Sequence, residues 1–259
     1  MQPFAETALH ANLPHATRKD GLELRVLGAT DLPALQALRA VVLANLPDSD
    51  LYRAEVDELG FIAAHLGGSQ QPSPGQTIGV FDSHNADKLV AYAMLGYPDI
   101  AKAHSFAKPL AHALELTFDD NGCIDESGVA QLASCMVLPA YQGRGLQRLL
   151  SSARFGLAQS QGRHLCIAMA SLRHSVSRRN LMGHGLKVAW VGEIDGLRRH
   201  VLAANLTKSW DFDLQSAQWV DTLDYDQQVA LNRQGFWGVG EIHKGATNTA
   251  SRLVFARKN

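Results

Sequence analysis

The 259-residue sequence predicts a mixed α/β fold, an α+β arrangement of a mostly antiparallel sheet flanked by helices. Three observations carry that reading. Short apolar runs bounded by polar turns alternate with amphipathic stretches of helical period. Two strand pairs are joined by turn signals, His84 to Lys88 and Asp195-Gly196. One strand passes through a Pro-containing turn into a Gly-rich loop that opens a helix, over Val137 to Gln147.

Residues 1–20 read as an N-terminal arm, and residues 22–28 as the first strand. Thr30 or Asp31 caps a helix over 32–46, with Pro33 tolerated in its first turn. A second amphipathic helix is predicted near 52–66, a loop at 69–76, and a strand pair at 77–83 and 89–97. Residues 98–128 read as an insertion: a helical stretch at 100–114 interrupted by Pro109, then a turn-rich tail. Strands follow at 129–138 and 164–171, then a helix after His174 and a hairpin at 186–206. The last 53 residues hold one helix at 226–234, flanking strands, and Trp210, Trp219 and Trp237. That aromatic weight argues for a packed α/β extension, on the core or on a partner subunit, so a homodimer is one expectation. Val-Gly-Glu-Ile occurs at 191–194 and 239–242 in differing surroundings, which reads as coincidence without an internal repeat.

Apolar content of 46%, charged content of 19% and a net charge of −1 are those of a soluble globular protein. Basic residues are dispersed, so neither nucleic acid nor a membrane surface is called for as a partner. No apolar run approaches the roughly 20 residues of a membrane span. The N-terminal stretch lacks the basic start and apolar centre of a secretion signal. Cys123, Cys135 and Cys166 are odd in number and lack a CxxC spacing, so the expectation is reduced thiols in a cytoplasmic protein and no metal site.

The loop Gln142-Gly143-Arg144-Gly145 is the feature with chemical content. Glycines let successive N–H groups turn into one concavity. The start of the helix at Leu146 adds unpaired donors and the positive end of its dipole, and Arg144 adds a formal charge. A pyrophosphate suits such a site. The Walker pattern is excluded because no Gly-Lys-Ser/Thr follows, and the dinucleotide fingerprint because its three-glycine spacing is absent.

The segment resembles the acyl-CoA-binding motif of the GNAT N-acetyltransferase superfamily. That pattern is a strand ending Leu-x-Val-x-Pro, then Gln/Arg-x-x-Gly-x-Gly/Ala. Here it reads Cys135-Met136-Val137-Leu138-Pro139, then Gln142-Gly143-Arg144-Gly145-Leu146-Gln147, with Cys135 for the usual Leu and Gln147 for the usual small residue. Downstream, the family's Asn-x-x-Ser-x-x-x-Tyr-x-x-x-Gly-Phe is matched in spacing by His174, Ser177, Leu181, Gly185 and Leu186. The resemblance implies a GNAT-type splayed sheet spanning residues 21–206 and acetyl-CoA as co-substrate. It also implies a small-molecule or protein amine as acceptor. The backbone of Cys135, Met136 and Val137 would pair with the pantetheine arm as an added strand. Residues Gln142 to Gln147, with His174 and Ser177, would complete the cofactor site.

Acyl transfer also needs a base for the ammonium and a donor for the leaving thiolate. The family's Glu position is Gln131 here, which cannot act as a base. Glu115, Asp119, Asp120 and Glu126 in the insertion and Tyr97 are the candidates, each also readable as a surface group; a water chain is the other route. Leu181 stands where the family has the Tyr that meets the thiolate. Ser177 is the candidate hydrogen-bond donor, with Asn180 and His184 on neighbouring turns. The catalytic set is therefore Ser177, Glu115 and Tyr97. Because Tyr and Glu are missing, a non-catalytic CoA-binding sensor or interaction module is the alternative, and a phosphate-binding α/β protein a third.

Overall fold

The computed structural model describes residues 21–47, 52, 57–66, 75–97, 107–118, 124–194, 196–243 and 251–259. The expected arm at 1–20, most of the 69–76 loop, Asp119, Asp120, Cys123 and Asp195 lie outside the described residues. The class expected from the sequence holds: a mixed α/β fold with a mostly antiparallel sheet flanked by helices. The chain divides into two compact units, one from residues 1–97 and 130–163, the other from 98–129 and 164–259.

The first unit is built on β1 (Leu22–Val26), β2 (Gly75–Asp82), β3 (Lys88–Gly96) and β4 (Val129–Val137), each antiparallel to its neighbour. Helix α1 (Leu32–Ala44) starts at Asp31, but the expected side-chain cap is not made: the Asp31 carboxylate turns back to accept from Gly28 N and from the Arg25 guanidinium at 2.7–2.9 Å. A short helix α2 (Glu58–Ala64) follows, capped by Asp57. Strand β3 is buried from Leu89 to Gly96, the pattern of a strand covered on both faces, and α1 and α4 (Leu146–Ser160) both pack on it.

Helix α3 (Ala107–Ala113) opens the second unit. Pro109 does not interrupt this helix. It sits in the first turn, where its missing N–H would have had no intrahelical partner. Strands β5 (Leu165–Ser171), β6 (Lys187–Ile194), β7 (Leu197–Asn205), β8 (Phe212–Asp221), β9 (Phe236–His243) and β10 (Ser251–Lys258) form an antiparallel sheet in the order β5-β7-β6-β9-β10-β8. Helix α3 packs on it through Leu110 and Leu114, which share a buried cluster with Ile167, Val201 and Trp237.

This order is palindromic, and it corrects the expectation of no internal repeat. β5, α5 (Ser175–Gly183), β6 and β7 recur as β8, α6 (Tyr225–Arg233), β9 and β10, about fifty residues later. The two copies face each other across the β6–β9 seam, where Val188 lies opposite Gly238. A Cβ on Gly238 would come within 2.9 Å of Val188 Cβ, so the close approach there needs glycine. Both helices start on a side chain that accepts from the third residue on, His174 from Ser177 N and Asp224 from Gln227 N. Both end before a left-handed glycine, Gly185 and Gly235. The two Val-Gly-Glu-Ile segments are not equivalent positions in the copies. Glu193 is exposed, whereas the Glu241 side chain is 2% exposed.

Candidate functional site

In the first unit the chain leaves β4 at Val137, turns through Pro139–Tyr141, and reaches α4 through the predicted loop. Gly143 and Gly145 have φ of +78° and +77°. These are left-handed values that a side chain with a Cβ adopts at a cost of roughly 1–2 kcal/mol. Gly145 is the N-cap of α4, and no side chain caps the helix there. Its first N–H groups, its dipole and Arg144 thus lie within one short segment of chain.

A latch holds the start of this loop. Tyr141 Oη donates to Asp82 Oδ2 at 2.6 Å, and the Arg144 guanidinium lies 4.8 Å from the centre of the Tyr141 ring. The Tyr141 hydrogen bond, with His84 N–H and the nearby Arg144 charge, holds the Asp82 carboxyl below its usual range. The loop is therefore tied to the end of β2. Sequence reasoning missed this latch. Its signal was an aromatic residue directly before a basic glycine loop.

Cys135, Met136 and Val137 lie on β4 opposite Ala93, Tyr92 and Ala91 of β3. The register shifts just beyond, between Ala93 and Leu95. There the buried Arg154 of α4 donates to Ala133 O at 3.0 Å and to Met94 O at 3.3 Å. A fully buried arginine stays only where its donors are used. Here they meet carbonyls at a β-bulge, and this fixes the strand before Cys135. Burial pushes the Cys135 thiol up, which makes it a poor nucleophile at neutral pH.

Tyr97 follows the end of β3 that is remote from this loop. Its hydroxyl donates to Gln161 Oε1 at 2.6 Å, just past the C-terminus of α4, and Arg163 lies 4.1 Å from its ring centre. A 15-residue helix separates that end from the loop, roughly 22 Å at 1.5 Å per residue. Burial also raises the Tyr97 pKa. Both facts argue against Tyr97 as the base.

In the second unit, Glu115 accepts from Lys258 Nζ at 2.6 Å and pairs with Lys208 at 3.4 Å. The Lys258 hydrogen bond, with the charges of both lysines, holds its carboxyl below the usual range. Glu115 thus ties the stretch after α3 to β10, and its basicity is reduced rather than raised. Glu126 is half-buried in the turn before β4, and Gln131 is half-buried on β4.

The turn into α5 brings His174 and Ser177 together. Ser177 N donates to His174 Nδ1 at 3.3 Å, which leaves the ring proton on Nε2. Burial, assisted by the charge of Arg178, lowers the His174 pKa and keeps the ring neutral. Leu181 is buried on the same helix. Arg178 was not singled out from the sequence. It donates from Nε and Nη2 to Glu241 at 2.8 and 3.1 Å, and from Nη1 to Leu172 O at 2.7 Å. Its signal was an arginine in the apolar stripe of a short helix.

Among solved structures, a protein from Desulfovibrio desulfuricans assigned to the GNAT acetyltransferase family matches with a TM-score of 0.50 at 15% identity, over 72% of this chain and 99% of that one. The fold is that of the GNAT acetyltransferases. Arabidopsis thaliana NAA60 in complex with acetyl-CoA matches the same GNAT-type architecture with a TM-score of 0.50 at 12% identity, over 72% of this chain and 99% of that one. The ribosomal-protein-S5-alanine acetyltransferase of Vibrio fischeri does so with a TM-score of 0.50 at 12% identity, over 74% and 96%. No family model matches the chain, and no curated protein does.

Proposed function

We propose that the chain is a GNAT-family, acyl-CoA-dependent N-acyltransferase that moves an acetyl group from acetyl-CoA to a primary amine of a small molecule or protein. The observation that carries the reading is the loop at 142–147. Two left-handed glycines lead into an α4 start that no side chain caps, with Arg144 alongside and the Asp82–Tyr141 latch behind. In this reading the loop holds the pyrophosphate by its N–H groups, and the backbone of Cys135, Met136 and Val137 holds the pantetheine amides and polarises the thioester carbonyl. The amine nitrogen attacks that carbonyl. The C–N bond forms, the C–S bond breaks, and the thiolate departs with a hydrogen bond from the Ser177 hydroxyl. His174 orders the Ser177 turn. Glu115 and Tyr97 are poor bases where they stand. That leaves a water chain to take the ammonium proton.

The test is calorimetric titration of acetyl-CoA beside a free-thiol release assay with polyamines, amino acids, aminoglycosides and peptides. Binding with amine-dependent release supports the transferase. Binding without release from any amine supports the sensor reading instead. Absence of binding overturns both. Gly143→Val should weaken acetyl-CoA binding at least tenfold while the circular-dichroism melt persists, because a β-branched residue resists the left-handed backbone. Unchanged affinity in the folded variant would remove the pyrophosphate from this loop.

A further inference from the structure

We infer that Glu241, on β9 of the second repeat, is a positioning residue for acyl transfer: its carboxylate holds Arg178, and through Arg178 the α5 turn that carries His174 and Ser177. The inference rests on the proposed transferase reading for its functional meaning and on the repeat for its geometry.

The pair is bidentate and enclosed. The Arg178 and Glu241 side chains are 1% and 2% exposed. Two guanidinium bonds go to the carboxylate and a third to Leu172 O, at the end of β5. One side chain therefore joins the strand before the turn, the helix after it, and the opposite repeat. Arg178 N also donates to His174 O at 3.1 Å, so the residue that receives the carboxylate closes the same turn by its backbone.

The second repeat serves as an internal control. Position 178 corresponds to Gln228 of α6, which donates from Nε2 to Asp221 O at 2.9 Å and accepts from His200 at 2.7 Å. Gln228 thus ties its helix to its strand end with a neutral amide. The contacts cross the seam in both directions: Arg178 reaches β9, and Gln228 reaches β7. That resembles the reciprocal contacts of a two-fold interface. A neutral side chain is enough to hold the framework. Of the two helices, the one that begins with His174 and Ser177 is the one that reaches across the seam with a charged side chain.

Removal of one partner leaves a buried charge uncompensated, whereas replacement of both by apolar side chains is tolerated in many proteins. The test therefore pairs E241Q with the double variant R178M/E241L. Each is measured for acetyl-CoA affinity by calorimetry, for kcat and amine KM by thiol release, and for the 15N shift of His174 Nδ1. In the folded double variant we expect acetyl-CoA affinity within threefold, kcat reduced at least tenfold with a smaller change in KM, and a displaced His174 resonance. E241D, which keeps the charge, should recover part of the lost kcat. A folded double variant with kcat within twofold and an unmoved His174 resonance overturns the inference. If the wild-type protein releases no thiol, the transferase reading fails by itself. The His174 resonance then decides whether Glu241 sets the turn.

Discussion

The two repeats of the second unit share a framework and differ in what they place on it. Each runs strand, helix, strand, strand, with the helix capped by a side chain that accepts from the third residue on. The first uses an imidazole, His174, followed by Ser177 and the ion-paired Arg178. The second uses a carboxylate, Asp224, followed by Gln227 and the neutral Gln228. An aspartate is the better cap, because it favours the helix dipole and accepts readily. The helix of the first repeat keeps a neutral imidazole as its cap and a buried ion pair to Glu241, which in many proteins stabilises no more than an apolar pair. Local choices that stability does not explain point toward chemistry.

The comparison can be broken most forcefully at the ion pair. Glu241→Ala should cost about 3–5 kcal/mol in urea unfolding, since it strands a buried guanidinium, and Gln228→Ala should cost about 1–3 kcal/mol. Equal losses would mean that the two positions do the same work. His200 gives the next effect. Burial, with the charge of Arg178, lowers its pKa to about 3, against the raising influence of its Gln228 bond. Its folded pKa lies below the unfolded value near 6.5, so the unfolded chain binds the extra proton as pH falls. Stability is complete above about 6.5 and is lost progressively down to about 3. Unfolding at pH 4 should show a loss of about 3 kcal/mol relative to pH 7 from this group, and His200→Leu should flatten that slope. The smallest effect sharpens the contrast between caps. Asp224→Ala should lower stability by about 1 kcal/mol and leave thiol release unchanged. His174→Ala should do less to stability and reduce thiol release. A matched loss of activity in both would dissolve the distinction.

The sequence made the elements and the glycine loop legible because each rests on local chemistry. Hydrophobic period, Pro33, Asp31 and the Asp195-Gly196 turn signal need no distant partner to be read. The repeat was hidden because the copies share a framework and little sequence: His174, Ser177 and Arg178 stand where Asp224, Gln227 and Gln228 do. The β6–β7 register shifts between Val188 and Trp190, and the β9–β10 register between Val254 and Phe255. Both bulges fall at the same place in the repeat, Ala189 and Val239, fifty residues apart, so they belong to the framework. The copies of Val-Gly-Glu-Ile, at 191–194 and 239–242, lie out of that fifty-residue register and mark positions that are not equivalent. The site was only partly legible for a related reason. Glu115 and Tyr97 looked like available acid–base groups until Lys258, Lys208 and Gln161 were seen beside them. Arg178 and Arg154 carry no local signal of their role, because their carbonyl and carboxylate partners are brought to them by the tertiary structure.

The β6–β9 seam has a consequence for how the polypeptide can be shared. Besides the strand contact at Val188 and Gly238, side chains close it: Lys187 to Val239 O, Asn232 to Val191 N and Ala189 O, and Arg178 to Glu241. All of these bonds run between the two repeats, and the connector that follows β7 at Asn205 is the one covalent link between them. An exchange of the second repeat between two chains would preserve every bond of the seam and alter only that connector. A swapped dimer would thus be a second closure of the same junction, set against the monomer by concentration and by the stiffness of a short hinge.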